Sequence, residues 1–267
     1  MFGLLSFRNA CRREIHRRAV AVPIGALVLL ASLLSPQAHA QTGAPAMSCP
    51  APSSAIATTT PTPRPTAWIE QQAAVQHDLA AHSYQVITLG DSIMQGWSET
   101  RLASATGMTV LNAGFGQDGT EHTLWRLRNF DWHAQAPRYV LLLIGTNDIG
   151  YPTCDIYWGI RTVVQTAHTV FPQARIVVTS ILPRGTNLMG ADDKIRAVNA
   201  ALKEAAPSAG FAFFDAHDAF ECGHKTPCPL FIPDFNLHLT KDGYDLLTSQ
   251  LKNFIAGAEQ RPAQQSN

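Results

Sequence analysis

The sequence predicts a three-layer α/β/α domain built on a doubly wound, five-stranded parallel sheet. Three observations carry this prediction. Apolar runs recur at 84–90, 109–112, 139–144, 175–181 and 211–215. Segments of helical periodicity separate them, so successive strands need crossovers and pair in parallel. Tyr139 to Ile144 is apolar throughout rather than alternating, as expected of a strand covered on both faces. Right-handed crossovers then put helices on both sides of the sheet, and ligands bind beyond the carboxyl ends of the strands.

The first forty residues belong to a different class of segment. Arg8, Arg12, Arg13, Arg17 and Arg18 precede an apolar run from Ala19 to Leu34, and Ala38-His39-Ala40 offers a small-residue cleavage site. Residues 1–40 therefore read as a secretory signal peptide, placing the mature chain in the periplasm or outside the cell. The apolar run is short for a membrane anchor, and no later segment is long enough to span, so no stable membrane insertion is expected after cleavage. Removing five Arg and one Glu leaves 15 Lys+Arg against 19 Asp+Glu, a net charge of about −4. That balance argues against nucleic acid or an anionic membrane surface as a partner.

Residues 41–66 are rich in Pro, Thr, Ser and Ala and read as an extended linker. The folded domain is expected over 67–258, with 259–267 as a disordered tail. Trp68 to Ala81 has helical character through Trp68, Ile69, Val75 and Leu79. Strand 84–90 then runs into Gly90-Asp91-Ser92, with a helix over 93–105. Strand 109–112 leads to a glycine-rich loop, Ala113 to Gly119, and a helix over 120–130. Strand 139–144 ends at Gly145-Thr146-Asn147-Asp148, and a helix follows over 156–170. Strand 175–181 precedes a helix over 191–206, strand 211–215 follows, and Lys241 to Ala256 closes the domain.

Four cysteines remain after Cys11 leaves with the signal, and an even number in an exported chain predicts two disulfides. Cys222 and Cys228 are the natural local pair, which leaves Cys49 with Cys154. The competing reading is a metal site from His217, Cys222, His224 and Cys228, whose spacing fits no common zinc pattern. His122, His133, His168 and His217 read as surface or capping residues, and no metal or organic cofactor is expected.

The chemistry is expected on the loops at the carboxyl edge. A serine on a tight strand-to-helix turn exposes its hydroxyl and sits where helix N–H groups lack partners. By itself Gly90-Asp91-Ser92 could be no more than a helix cap, and Asn147 and Asp148 no more than turn formers. Together with Asn112-Ala113-Gly114-Phe115-Gly116 and with Pro233-Asp234-Phe235-Asn236-Leu237-His238, they supply a nucleophile, amide donors and an imidazole.

These four blocks, in this order, resemble the SGNH (GDSL) hydrolase family and cover nearly all of 84–255. The phrases Asn112 to Gly116, Thr120 to Leu127, Ile144 to Gly150 and Ile181 to Gly185 are most similar to catalytic subunits of platelet-activating-factor acetylhydrolase. The resemblance implies a flavodoxin-like hydrolase fold with Ser92 as nucleophile and His238 as general base. It also implies an oxyanion hole from the Ser92 and Gly114 N–H groups and the Asn147 amide. The family places an orienting Asp three residues before the His. Here that position is Phe235, and Asp234 lies four before. Asp234 is assigned as the third member through a one-residue bulge, with a backbone carbonyl or Asn236 as alternative orienters. Arg184 lines the cleft or serves structurally, and Tyr151 and Trp158 are candidates for a sugar-binding rim.

The expected function is an exported serine esterase acting on small-molecule or polysaccharide esters, with acetyl or another short acyl group. Lysophospholipase, thioesterase and acyl-transfer activities share the same chemistry. A non-catalytic carbohydrate-binding protein on the same fold is the alternative of a different class.

Overall fold

The computed structural model describes residue 49, residues 55–64 and residues 68–260. The expected signal peptide, most of the linker outside 55–64, and residues 261–267 lie outside the described residues. The described residues all fall in one compact unit. Its sheet contains β1 (Val86–Gly90), β2 (Val110–Gly114), β3 (Tyr139–Leu143), β4 (Arg175–Thr179) and β5 (Phe211–Phe214), in the order β2-β1-β3-β4-β5. Every pairing is parallel, and the register aligns Gly90 with Gly114 and Leu143 at the carboxyl edge.

Eight helices accompany the strands among the described residues: α1 (Ile56–Thr59), α2 (Ile69–Ala81), α3 (Ser92–Gly96), α4 (Glu99–Thr106), α5 (Thr120–Asn129), α6 (Thr153–Val170), α7 (Asp192–Ala205) and α8 (Lys241–Gln260). Alternation along the strands sorts the core into two layers. Ile87, Leu89, Val140 and Leu142 face α2, α5, α6 and α7. Val86, Tyr139, Leu141 and Leu143 face α3, α4 and α8. Leu89 and Leu142 are fully buried, and each such side chain contributes about 2 kcal/mol through apolar area removed from water.

Four expectations change in detail. The single helix expected over 93–105 is two helices, because Ser98 caps α4 by accepting the Arg101 N–H. Strand β2 continues to Gly114 rather than ending at Asn112. The domain runs past 258: Glu259 lies in α8 and pairs with Arg138 at 2.7 Å.

The linker, finally, does not behave as a spacer over 55–64. Thr58 Oγ1 donates to Asp155 O (2.7 Å), Thr120 Oγ1 donates to Thr58 O (2.9 Å), and the Thr62 N–H donates to Glu121 O (3.1 Å). Disulfides join Cys222 to Cys228, the local pair expected from spacing, and Cys49 to Cys154, the pair it leaves.

Candidate active site

The turn after β1 is dictated by crowding. A Cβ at Gly90 would lie 2.1 Å from the Leu143 carbonyl oxygen, so only glycine lets β1 end beside β3. Asp91 caps α3, its Oδ1 accepting the Ile93 N–H at 2.9 Å. Asp91 is buried, and burial, opposed by the Ile93 and Met94 N–H groups, pushes its pKa up to about 7. Ser92 is the first residue of α3, so its N–H is one of the helix donors without an internal partner. From α8, the Tyr244 hydroxyl donates to Ile93 O (2.9 Å) and fixes the turn from behind.

The last loop brings the imidazole to the serine. His238 Nε2 lies 2.8 Å from Ser92 Oγ. On the other side of the ring, Nδ1 is hydrogen-bonded to Asp234 Oδ2. The irregular spacing is absorbed by two successive residues in the left-handed region, Phe235 (φ 61°) and Asn236 (φ 48°). Neither is glycine, so the conformation carries strain, and the next loop holds it in place. The Gly185 N–H donates to Phe235 O (2.6 Å), and Asn236 Nδ2 donates to Gly185 O (3.0 Å). Asp234 Oδ1 also accepts the Leu237 and His238 N–H groups, both at 3.3 Å. Burial opposes the Asp234 carboxylate, but the His238 ring and these two N–H groups outweigh it and hold its pKa below the ordinary value. Asn236, an alternative orienter in the sequence, instead locks the turn. The His238 and Asp234 side chains are 36% and 35% exposed, so the site is open to solvent.

Two further loops carry candidate donors. Asn147 sits in a 3-10 turn after Gly145, whose φ of 118° favours glycine. One of its two amide hydrogens goes to Asp118 O (2.9 Å), which leaves the other for a ligand. Gly114 corrects an expectation. Its N–H donates to Asn112 Oδ1 (2.9 Å), and a Cβ there would lie 2.6 Å from Gln95 N. Gly114 is thus a packing residue against α3, with its donor already committed. The segment that passes the serine is Gly116–Gln117: a Cβ built on Gly116 would lie 3.9 Å from Ser92 Cβ. Gln117 has φ 62°, and its N–H carries no hydrogen bond among the described residues.

The buried Arg126–Asp118 pair has no signal in the sequence, and several neighbours take definite roles around it. Arg126 is fully buried, donates twice to Asp118 (2.8 and 3.0 Å) and lies 3.5 Å over the Phe115 ring. The pair clamps the loop whose carbonyl holds Asn147. Burial still raises the Asp118 pKa, although Arg126 and Arg64 oppose it. Asp148 Oδ2 accepts the Thr120 N–H (3.1 Å) at the start of α5. Burial first, and then Glu121, push the Asp148 pKa up to about 8. His122 is a cap as expected, its Nδ1 accepting the Gly119 N–H (3.0 Å). Burial and the charges of Arg64 and Arg126 push its pKa down to about 4, which keeps that nitrogen an acceptor. Arg184 serves structurally, donating to Thr146 O (2.6 Å) and Thr146 Oγ1 (2.9 Å).

The metal reading loses its thiol ligands to the Cys222–Cys228 disulfide. His217, Asp218 and Glu221 lie close enough to share an ion. The Arg196 guanidinium already occupies that cluster, at Asp192 Oδ2 (2.8 Å), at Asp218 Oδ1 (3.3 Å) and against Glu221. His217 is buried rather than on the surface.

A parallel α/β sheet carrying a serine, an imidazole and a carboxylate in one hydrogen-bonded line defines the class of serine hydrolases. The chain belongs to the GDSL-like lipase/acylhydrolase family, whose model matches residues 88–246. It is an ester hydrolase of the SGNH type. It is 34% identical over 174 residues to platelet-activating factor acetylhydrolase IB subunit alpha1 of Homo sapiens, covering 64% of this chain and 75% of the relative. The alpha2 subunit of Homo sapiens is 30% identical over 191 residues, covering 70% and 83%.

Among solved structures, a GDSL-like lipase from Bacteroides thetaiotaomicron shares the fold with a TM-score of 0.56 and 21% identity, over 72% of this chain and 96% of that one. An acetylxylan esterase from Geobacillus stearothermophilus does so with a TM-score of 0.53 and 16% identity, over 64% and 94%. No helix among the described residues is long and apolar enough to cross a membrane.

Proposed function

We propose that the chain is an exported serine esterase that cleaves acetyl or other short acyl esters, with O-acetyl groups of polysaccharide as the leading substrate class. The single observation that carries the chemistry is the line Asp234–His238–Ser92, with His238 Nε2 2.8 Å from Ser92 Oγ. In this reading His238 takes the Ser92 proton as Oγ bonds to the acyl carbon. The imidazolium is stabilised by Asp234, and its proton goes to the leaving alcohol as the ester C–O bond breaks. Water, deprotonated by the same nitrogen, then cleaves the acyl-enzyme.

The tetrahedral oxyanion is held by the Ser92 and Gln117 N–H groups and the free amide hydrogen of Asn147. One such donor is worth roughly 3–4 kcal/mol in the transition state. Asn147 provides it without a charge that would repel the oxyanion. The short-acyl reading draws on the acetylhydrolase relatives, and the sugar-ester reading draws on the acetylxylan esterase of similar fold and on the leader-like N-terminus.

The test is hydrolysis of nitrophenyl acetate, butyrate and octanoate and of acetylated xylo-oligosaccharide by residues 41–267, beside Ser92→Ala. Activity greatest on acetyl esters and abolished in the variant supports the proposal. Equal rates for wild type and variant on every ester refute it. A preference for octanoate replaces the short-acyl reading with a lipase-like one.

A further inference from the structure

The segment before the first strand reaches into the site. Arg64 Nη2 and Trp68 Nε1 both donate to the Gly116 carbonyl oxygen, at 3.3 and 3.0 Å. Arg64 Nε also contacts Asp118 Oδ1 (3.4 Å), and its guanidinium lies 4.1 Å over the Trp68 ring. Both residues lie outside the matched family segment, which begins at residue 88. The strap that carries Arg64 is held on the body by the threonine bonds of α1, and the Cys49–Cys154 disulfide closes it upstream.

The Gly116 carbonyl and the Gln117 N–H belong to one peptide group, which is trans. In a trans peptide the C=O and N–H vectors point in opposite directions. Two donors that hold the carbonyl therefore hold the N–H pointing away from Arg64 and Trp68, in the segment where Gly116 passes Ser92. A charged donor on the carbonyl also polarises the peptide and makes its N–H a stronger donor.

We propose that Arg64 and Trp68 are positioning residues for catalysis: through the Gly116–Gln117 peptide they aim and strengthen an oxyanion-hole donor. The inference rests on the esterase reading above. It adds that residues preceding the family domain set the geometry of its site.

The experiment compares Trp68→Phe, which keeps the ring and removes the indole N–H, with Arg64→Met and Arg64→Lys. With nitrophenyl acetate, kcat is expected to fall on the order of 10-fold in W68F and in R64M, a fraction of the loss from deleting a donor outright. KM is expected to stay within about 2-fold, because the oxyanion forms only in the transition state. R64K is expected to recover most of the lost rate. Amide NMR of 15N-labelled Ser92→Ala protein carrying each change reads the same peptide without turnover, and the Gln117 amide proton is expected to shift upfield in W68F and R64M. Unchanged kcat in both variants overturns the inference, as does a loss of kcat that merely tracks thermal unfolding. If the wild type hydrolyses no ester, the esterase reading fails on its own, and an unmoved Gln117 resonance then decides against the positioning role.

Discussion

Replacing Asp234 by Asn isolates the role of the shifted carboxylate. The Asn side chain keeps an oxygen for the Leu237 and His238 N–H groups, so the turn and the fold should persist. What changes is the atom facing His238 Nδ1, where an NH2 group replaces a carboxylate oxygen. An amide donor there favours the tautomer that carries its proton on Nε2, which cannot accept the Ser92 proton. Reversing that preference costs about 1 kcal/mol, and losing the charge-assisted bond to the imidazolium costs about 1.5–3 kcal/mol more. Together these raise the barrier by about 2.5–4 kcal/mol and lower kcat on the order of 10²–10³-fold. Solvent reaches the pair, since Asp234 is 35% exposed, and this keeps the loss at the smaller end. The assay is kcat/KM on nitrophenyl acetate with Tm measured on the same preparation. A D234N enzyme within about 3-fold of wild type, with Tm unchanged, would refute the assignment and move the orienting role to another group.

Other consequences follow from crowding, buried charge and protonation. Gly114→Ala puts a Cβ 2.6 Å from the Gln95 backbone nitrogen, so denaturant unfolding should show at least about 3 kcal/mol lost. Gly116→Ala meets only the flexible end of Gln95 at 2.9 Å and should cost under about 1 kcal/mol. Arg126→Met leaves the Asp118 carboxylate buried with only the looser Arg64 contact at 3.4 Å. A loss of about 3–5 kcal/mol is expected, together with a lower kcat because Asp118 O holds Asn147. The folded pKa values of Asp91 (about 7) and Asp148 (about 8) lie above the ordinary 3.8. Each carboxyl therefore keeps in the folded state a proton that the unfolded chain releases. The stability this lends is full below about pH 4 and is lost as pH rises to about 8. Asp148→Asn should flatten that decline by up to about 1.4 kcal/mol per pH unit, read by urea unfolding at a series of pH values.

Five strands were legible because each is an apolar run bounded by glycine or polar residues, and two-sided burial writes that pattern directly into sequence. Ser92, Asn147 and His238 were legible for a related reason: each follows a strand or precedes the final helix, so topology alone carries them to one edge. The failures share a cause as well. Reading β2 as ending at Asn112 placed Gly114 in the loop. The strand runs two residues further, and the loop beside Ser92 is displaced by the same amount, to Gly116–Gln117. The strap over 55–64 looks like an extended linker in sequence because threonine hydroxyls bonded to distant carbonyls hold it, and such bonds leave no periodicity. Arg126 and Asp118 are eight residues apart on a loop and a helix, where a buried pair resembles any surface pair. The Asp234 bulge was legible only as a spacing irregularity. The left-handed turn that resolves it depends on Gly185, about fifty residues earlier in the chain.

The clasp between Tyr244 and Ile93 spans 151 positions of sequence, and the contact between His238 and Ser92 spans 146. Synthesis therefore delivers the serine long before it delivers either partner. Contacts of this sequence separation are slow to form because distant segments must be brought together before any contact rewards the closure. Until residues 238 and 244 have emerged, Ser92 has no imidazole beside it and its turn no backing from α8. On the esterase reading, a chain truncated before residue 238 is expected to show no hydrolysis however well its first strands have paired. The appearance of hydrolysis during refolding would accordingly report the docking of the last helix, and it should lag behind the recovery of secondary structure.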